Sequence, residues 1–88
     1  MKVEFLQQFL KDIDRLQDPV VRAELVNLIE RLESAPSLRE IPQVKKLKGF
    51  KTAYRIRLKQ YRVGFYYDNG VIELVRCLDR RDIYRRFP

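Results

Sequence analysis

An α+β fold is predicted, in which two N-terminal helices pack on one face of a small antiparallel sheet of about four strands. Three observations lead to it. Apolar residues recur at helical spacing through the first 35 positions. From Ala53 onward they switch to alternation, and Asn69-Gly70 separates two of the alternating runs. A chain of 88 residues has room for one domain, residues 1–88, and one core.

The elements follow in order. Lys2 to Phe5 is short and β-like, an edge or central strand that joins the later meander. From Leu6, the residues Leu6, Phe9, Leu10, Ile13 and Leu16 fall on one helical stripe. Gln17-Asp18-Pro19 ends that helix and opens another, with Asp18 as N-cap. Pro19 stands at the first helical position, where its missing N–H costs nothing. Val21, Leu25, Leu28, Ile29 and Leu32 form the second stripe, which stops at Ser34-Ala35-Pro36. Both stripes read as scaffold, an α-hairpin covering a sheet. Residues 37–50 show no period and contain Pro42 and Gly49, so a connecting loop is expected there, ending in the basic, exposed run Lys45-Lys46-Leu47-Lys48-Gly49. Tyr54, Ile56 and Leu58 then alternate with Arg55, Arg57 and Lys59. Val63, Phe65 and Tyr67 alternate with Arg62, Gly64 and Tyr66. Val71 to Leu78 is apolar enough to lie inside the sheet.

Charge divides the chain sharply. Residues 1–44 carry 6 Lys/Arg against 8 Asp/Glu, a net of −2, whereas residues 45–88 carry 13 against 4, a net of +9. A sheet that tolerates such repulsion calls for an anionic partner, and nucleic acid is the first candidate. Hydrophobic residues make up 45% of the chain, which excludes intrinsic disorder. The single cysteine, Cys77, cannot form an internal disulfide, and the chain has no histidine, so soft-metal sites are not available. The acids show no metal-binding spacing, and no cofactor is expected. No apolar run approaches the roughly 20 residues that span a bilayer. Glu4, Asp12 and Asp14 interrupt the N-terminal apolar positions, unlike a signal peptide. A soluble cytoplasmic protein with no membrane partner is expected.

Strand pairing sharpens the cationic face. If the first hairpin turns around Lys59-Gln60, Leu58 faces Tyr61, Arg57 faces Arg62, Ile56 faces Val63 and Arg55 faces Gly64. Every apolar residue of the pair then shares the helix side, and Arg55, Arg57 and Arg62 share the other; a slip of one residue would mix the faces. Across the second hairpin, Tyr67 faces Ile72 and Phe65 faces Leu74 on the apolar side, while Tyr66 faces Glu73 and Gly64 faces Val75 on the arginine side. Like charges directly opposed cost up to about 1 kcal/mol, so folding alone does not select Arg57 opposite Arg62. Gly64 is expected to leave a depression beside Arg55. Four more arginines follow in Asp79-Arg80-Arg81-Asp82-Ile83-Tyr84-Arg85-Arg86-Phe87-Pro88. Tyr84 can stack on a base or give up a phenolic proton, or it can tuck against the sheet end with Ile83 and Phe87.

In this order, Lys-Leu-Lys-Gly (Lys46 to Gly49), Tyr-Arg-Ile-Arg-Leu (Tyr54 to Leu58), Tyr-Arg-Val-Gly-Phe (Tyr61 to Phe65) and Arg-Arg-Asp-Ile-Tyr (Arg80 to Tyr84) resemble the RelE/ParE toxin superfamily over essentially the whole chain. The resemblance implies the toxin of a type II toxin–antitoxin module. Its partners would be a cognate antitoxin with an acidic or amphipathic C-terminal segment, the ribosome and mRNA, with operator DNA reached only through the antitoxin. RelE-type members cleave mRNA in the ribosomal A site without metal, by promoting attack of the ribose 2′-hydroxyl on the adjacent phosphate. Carried over position by position, Arg55, Arg57, Arg62, Arg80 and Tyr84 would be catalytic. Lys46, Lys48, Tyr66, Arg81 and Arg85 are expected to bind substrate. The absence of histidine leaves the general base open: Asp79 stands about where a histidine often appears, arginine replaces lysine at positions 55 and 57, and Glu73 is a possible substitute. Two alternatives remain, a ParE-like DNA gyrase poison and a non-toxic remnant that only binds its antitoxin.

Overall fold

The computed structural model describes residues 1–88. It runs β1 (Lys2–Phe5), α1 (Gln7–Arg15), α2 (Pro19–Ser34), a 3-10 turn (Leu38–Glu40), β2 (Val44–Lys46), β3 (Ala53–Leu58), β4 (Tyr61–Asp68), β5 (Val71–Asp79) and α3 (Arg80–Arg86). The five strands form one sheet in the order β1-β5-β4-β3-β2.

The α+β class holds, with three departures from expectation. The sheet has five strands because Val44–Lys46, expected to be loop, pairs antiparallel with β3. It is mixed rather than wholly antiparallel, since β1 lies at an edge and runs parallel to β5. A third helix, α3, packs on the face opposite α1 and α2, where no helix was expected.

The helical hairpin forms for the expected local reasons. The Asp18 carboxylate accepts hydrogen bonds from the amides of Val20 and Val21 at 2.9 and 3.4 Å, and Pro19 occupies the first turn of α2. Arg22 adds a brace, donating to the carbonyls of Ile13 and Leu16 at 2.8 and 2.7 Å at the end of α1. Val21, Leu25, Leu28 and Leu32 are buried, as are Phe9 and Leu16, against Ile56, Val63, Phe65, Ile72 and Leu74 of the sheet. Each fully buried side chain of this size contributes about 1.5–3 kcal/mol, so this core dominates stability. The α1 stripe is narrower than its spacing implied, because Leu6 and Leu10 stay exposed.

A buried acid takes their place. The side chain of Asp12 is 1% exposed; it accepts from Arg76 Nε at 2.8 Å and Arg76 Nη2 at 3.1 Å, and from the Cys77 amide at 2.9 Å. A β-bulge makes this possible. Phe65 pairs with Leu74 but Gly64 pairs with Arg76, so Val75 is an extra residue and the expected Gly64–Val75 pairing does not occur. Strict alternation would send Leu74 and Cys77 to opposite faces; the extra residue lets both enter the main core and brings Arg76 against α1. Because β1 pairs with β5 only as far as Leu74, Asp12 occupies the place a strand neighbour would take beside Cys77.

The β3–β4 register is the expected one throughout, including Arg57 opposite Arg62 and Arg55 opposite Gly64. Asn69 and Gly70 adopt φ of 49° and 77°, the left-handed pair that a tight β4–β5 hairpin requires. On the arginine face a second, smaller core gathers Ala53, Ile83 and Phe87, with Leu47, Tyr66, Val75 and Leu78 packed around it.

Candidate functional site

Alternation along β3 sends Ala53, Arg55 and Arg57 to the face opposite the main core. The first is buried under α3, and the other two continue outward from it. Arg62 joins them from β4, and Lys45 from β2, where it stands opposite Arg55. Lys45, Arg55, Arg57, Arg62 and Tyr84, with Gln43 and Val44, line an open cleft of about 480 Å³.

No carboxylate lines this cleft, and none of its four cations forms an ion pair within the chain. Two local devices hold them instead. The Arg62 guanidinium donates from Nη1 to the carbonyls of Lys59 and Tyr61, both at 2.9 Å, so the negative ends of two peptide dipoles steady it at the hairpin. Arg55 places its guanidinium 4.5 Å from the centroid of the Tyr84 ring, a cation–π contact worth about 0.5–1 kcal/mol at an exposed site. The result is a preorganised, unneutralised positive pocket with one phenol at its rim.

Tyr84 arrives there through α3. Asp79 caps that helix, its carboxylate accepting from the Arg81 amide at 2.9 Å and from Arg81 Nε at 3.1 Å. The amide and then the guanidinium of Arg81 hold the Asp79 carboxyl below the ordinary carboxylate range, and Asp79 in turn raises Arg81. Ile83 and Phe87, one turn apart, bury against the sheet and leave Tyr84 62% exposed above Arg55. The ring of Phe87 fills the depression expected at Gly64: a Cβ built there would lie 2.6 Å from Phe87 Cδ2 and Cγ. Gly64 therefore admits a helix-borne ring rather than a ligand.

Of the residues assigned to chemistry from sequence, Arg55, Arg57, Arg62 and Tyr84 meet in the cleft. Arg80 does not line it; it opens α3 with an exposed side chain, its amide donating to the Gln60 carbonyl at 2.8 Å. Arg81 is paired with Asp79, and Arg85 with Asp82 at 3.1 Å. Lys46 pairs in register with Tyr54, which turns it away from the face of Lys45. Lys48 is exposed on the β2–β3 loop. Tyr66 packs against Phe87 at a centroid distance of 5.3 Å and, with Glu4, Asp68 and Glu73, borders a separate depression, so Glu73 lies outside the arginine cleft. Sequence reasoning missed Lys45, which becomes visible only once Val44–Lys46 is recognised as a strand opposite β3.

Comparison with known proteins gives a consistent result. Residues 3–84 match the family model of the ParE toxin of the type II toxin–antitoxin system parDE. Toxin RelE3 of Methanocaldococcus jannaschii is 35% identical over 89 residues, covering the whole of both chains. The crystal structure of a RelB–RelE antitoxin–toxin complex from Methanococcus jannaschii superposes with a TM-score of 0.83 at 32% identity, covering 97% of this chain and 99% of that one. An archaeal RelE–RelB complex from Pyrococcus horikoshii superposes with a TM-score of 0.70 at 28% identity, covering 90% and 93% of the two chains.

Proposed function

The chain belongs to the RelE/ParE superfamily of type II toxins, and on that premise we propose that it is a ribosome-dependent mRNA endoribonuclease that arrests translation. One observation carries the reading: Arg55, Arg57, Arg62 and Lys45 converge, free of any carboxylate, around a cleft whose rim is Tyr84.

Attack of a ribose 2′-hydroxyl on the adjacent phosphate concentrates negative charge on a five-coordinate phosphorus. Guanidinium groups fixed beforehand stabilise that charge more than they stabilise the ground state, and so lower the barrier. Arg62, tethered to two carbonyls, and Arg55, held against Tyr84, are the fixed pair. Arg57 supplies the third fork. Arginine retains its proton, which leaves Lys45 and Tyr84 as the groups in the cleft able to exchange one. Tyr84 is assigned proton donation to the departing 5′-oxygen, and Lys45 removal of the 2′ proton. Arg80, Arg81, Arg85, Lys46, Lys48 and Tyr66 are assigned contacts with RNA outside the reacting group. No metal or cofactor enters this scheme. A net charge of +7 suits a cognate antitoxin with an acidic segment, and operator DNA would be met only through that partner.

Tightly controlled expression with mapping of mRNA 5′ ends tests the proposal. A-site cleavage is expected, and Arg62→Ala should abolish it while shifting Tm little. Intact mRNA with unimpaired translation would reject it. The ParE description of the matching family model favours a second reading, a DNA gyrase poison. A DNA-damage response on induction with mRNA intact would establish that alternative, and unaffected growth would indicate an antitoxin-binding remnant.

A further inference from the structure

The loop between β2 and β3, Leu47–Thr52, carries a large aromatic side chain that packs into neither core. Its base is fixed: Leu47 sits in the second core, and its amide donates to the Ala53 carbonyl at 2.9 Å. The Phe50 amide returns to the Leu47 carbonyl at 3.3 Å, with Gly49 supplying the left-handed φ of 84°. The loop thus buries its leucine and leaves the larger Phe50 49% exposed on a tight turn.

Its neighbours in sequence are cationic, while Thr52 at its far end borders the depression lined by Glu4, Asp68 and Glu73. Residues 41–67 contain eight Lys/Arg and no Asp or Glu. Lys48 and Lys51 flank Phe50, Lys45 and Lys46 precede it, all four are exposed, and none is ion-paired. An exposed ring between unpaired ammonium groups is the chemistry that receives an unstacked base and its neighbouring phosphates. The loop ends three residues before Arg55, roughly 10 Å along the strand, so it is a contact separate from the cleft.

We propose that Leu47–Thr52 is a second RNA-docking site, where Phe50 stacks on an unpaired base while Lys48 and Lys51 contact the adjoining phosphates. The inference rests on the ribosome-dependent reading above and adds a site to it. The base belongs either to ribosomal RNA or to the messenger, and one experiment separates these sources.

The chain contains no tryptophan, so Phe50→Trp places a single indole at the loop. Its emission is followed while purified ribosomes are added, either stripped of mRNA or loaded with it, and in parallel with anionic phosphatidylglycerol vesicles. Quenching by stripped ribosomes assigns ribosomal RNA; quenching only by loaded ribosomes assigns the messenger. In either case Phe50→Ala should weaken ribosome binding by about 5- to 150-fold, the equivalent of about 1–3 kcal/mol, and Phe50→Trp should retain it. Lys48→Ala and Lys51→Ala should each lower the slope of log affinity against log salt by about 0.7–0.9. Unchanged emission together with undiminished binding by Phe50→Ala overturns this site and leaves the endonuclease reading standing. A response to vesicles alone also overturns it. Failure of the wild-type chain to bind ribosomes overturns both.

Discussion

Substituting Gly64 by alanine inserts one methyl group into the contact that seats α3. The new Cβ would meet Phe87 Cδ2 and Cγ at 2.6 Å and Cε2 at 3.0 Å, where carbon atoms rest at about 3.5–4.0 Å. The ring must retreat by about 1 Å. It cannot do so freely, because Phe87 is 4% exposed and shares its core with Ala53 and Ile83. Overpacking of this kind costs about 1–3 kcal/mol, and in a domain of this size each kcal/mol lowers Tm by about 4–8 °C. Any shift of α3 also carries Tyr84 off Arg55, so cleavage should fall further than stability alone explains. Thermal melts by circular dichroism and an mRNA cleavage assay measure the two effects. Phe87→Leu added to Gly64→Ala should return part of the lost stability, a coupling of about 0.5–3 kcal/mol. A Gly64→Ala protein that melts with the wild type and cleaves normally would refute the proposed seating of the ring.

Three further outcomes are expected. Asp12→Ala strands the nearly buried Arg76 guanidinium and should cost about 3–5 kcal/mol in urea unfolding, with Asp12→Ala/Arg76→Leu recovering most of it. Burial, and secondarily the charge of Asp12, push the Cys77 thiol from 9.0 up to about 12. Iodoacetamide should therefore leave it unmodified in the folded protein at pH 8 and label it fully in denaturant. Its protonated state stabilises the fold fully below pH 9, and that contribution is lost as pH rises from 9 towards 12, since only the unfolded chain ionises there; Cys77→Ala should flatten the loss. On the proposed endonuclease scheme, Lys45→Arg keeps a cation in the cleft but removes the group assigned to take the 2′ proton, so cleavage should drop at least tenfold while ribosome affinity, measured by sedimentation, is retained.

The arginine cleft was half legible in sequence because β3 and β4 alternate without interruption and Asn69-Gly70 fixes the following turn. Period two then dictates which side chains share a face. Elements with no such phase escaped. Val44–Lys46 contributes one apolar residue, too few to establish alternation, so Lys45 and Lys46 could not be assigned to opposite sides. The seven residues of α3 read as an arginine run, although Ile83 and Phe87, four positions apart, already carried a helical signal. Gly64 advertised a missing side chain, but not that the ring of Phe87, 23 positions further along the chain, would fill the space. Asp12, in sequence only an acid interrupting the N-terminal apolar positions, has no local signal of its partner, because the bulge at Val75 is what brings Arg76 to it.

The carboxylate of Asp12 has a consequence for solubility as well as for folding. Past Leu74 the β5 strand has no neighbour on the β1 side, and an open ladder beside apolar Val75 and Leu78 invites another chain to pair with it. By taking the Cys77 amide, Asp12 closes part of that edge from within. Variants that lose this acid, the Asp12→Ala/Arg76→Leu pair included, should therefore self-associate more readily at high concentration, a tendency that light scattering reads separately from their unfolding.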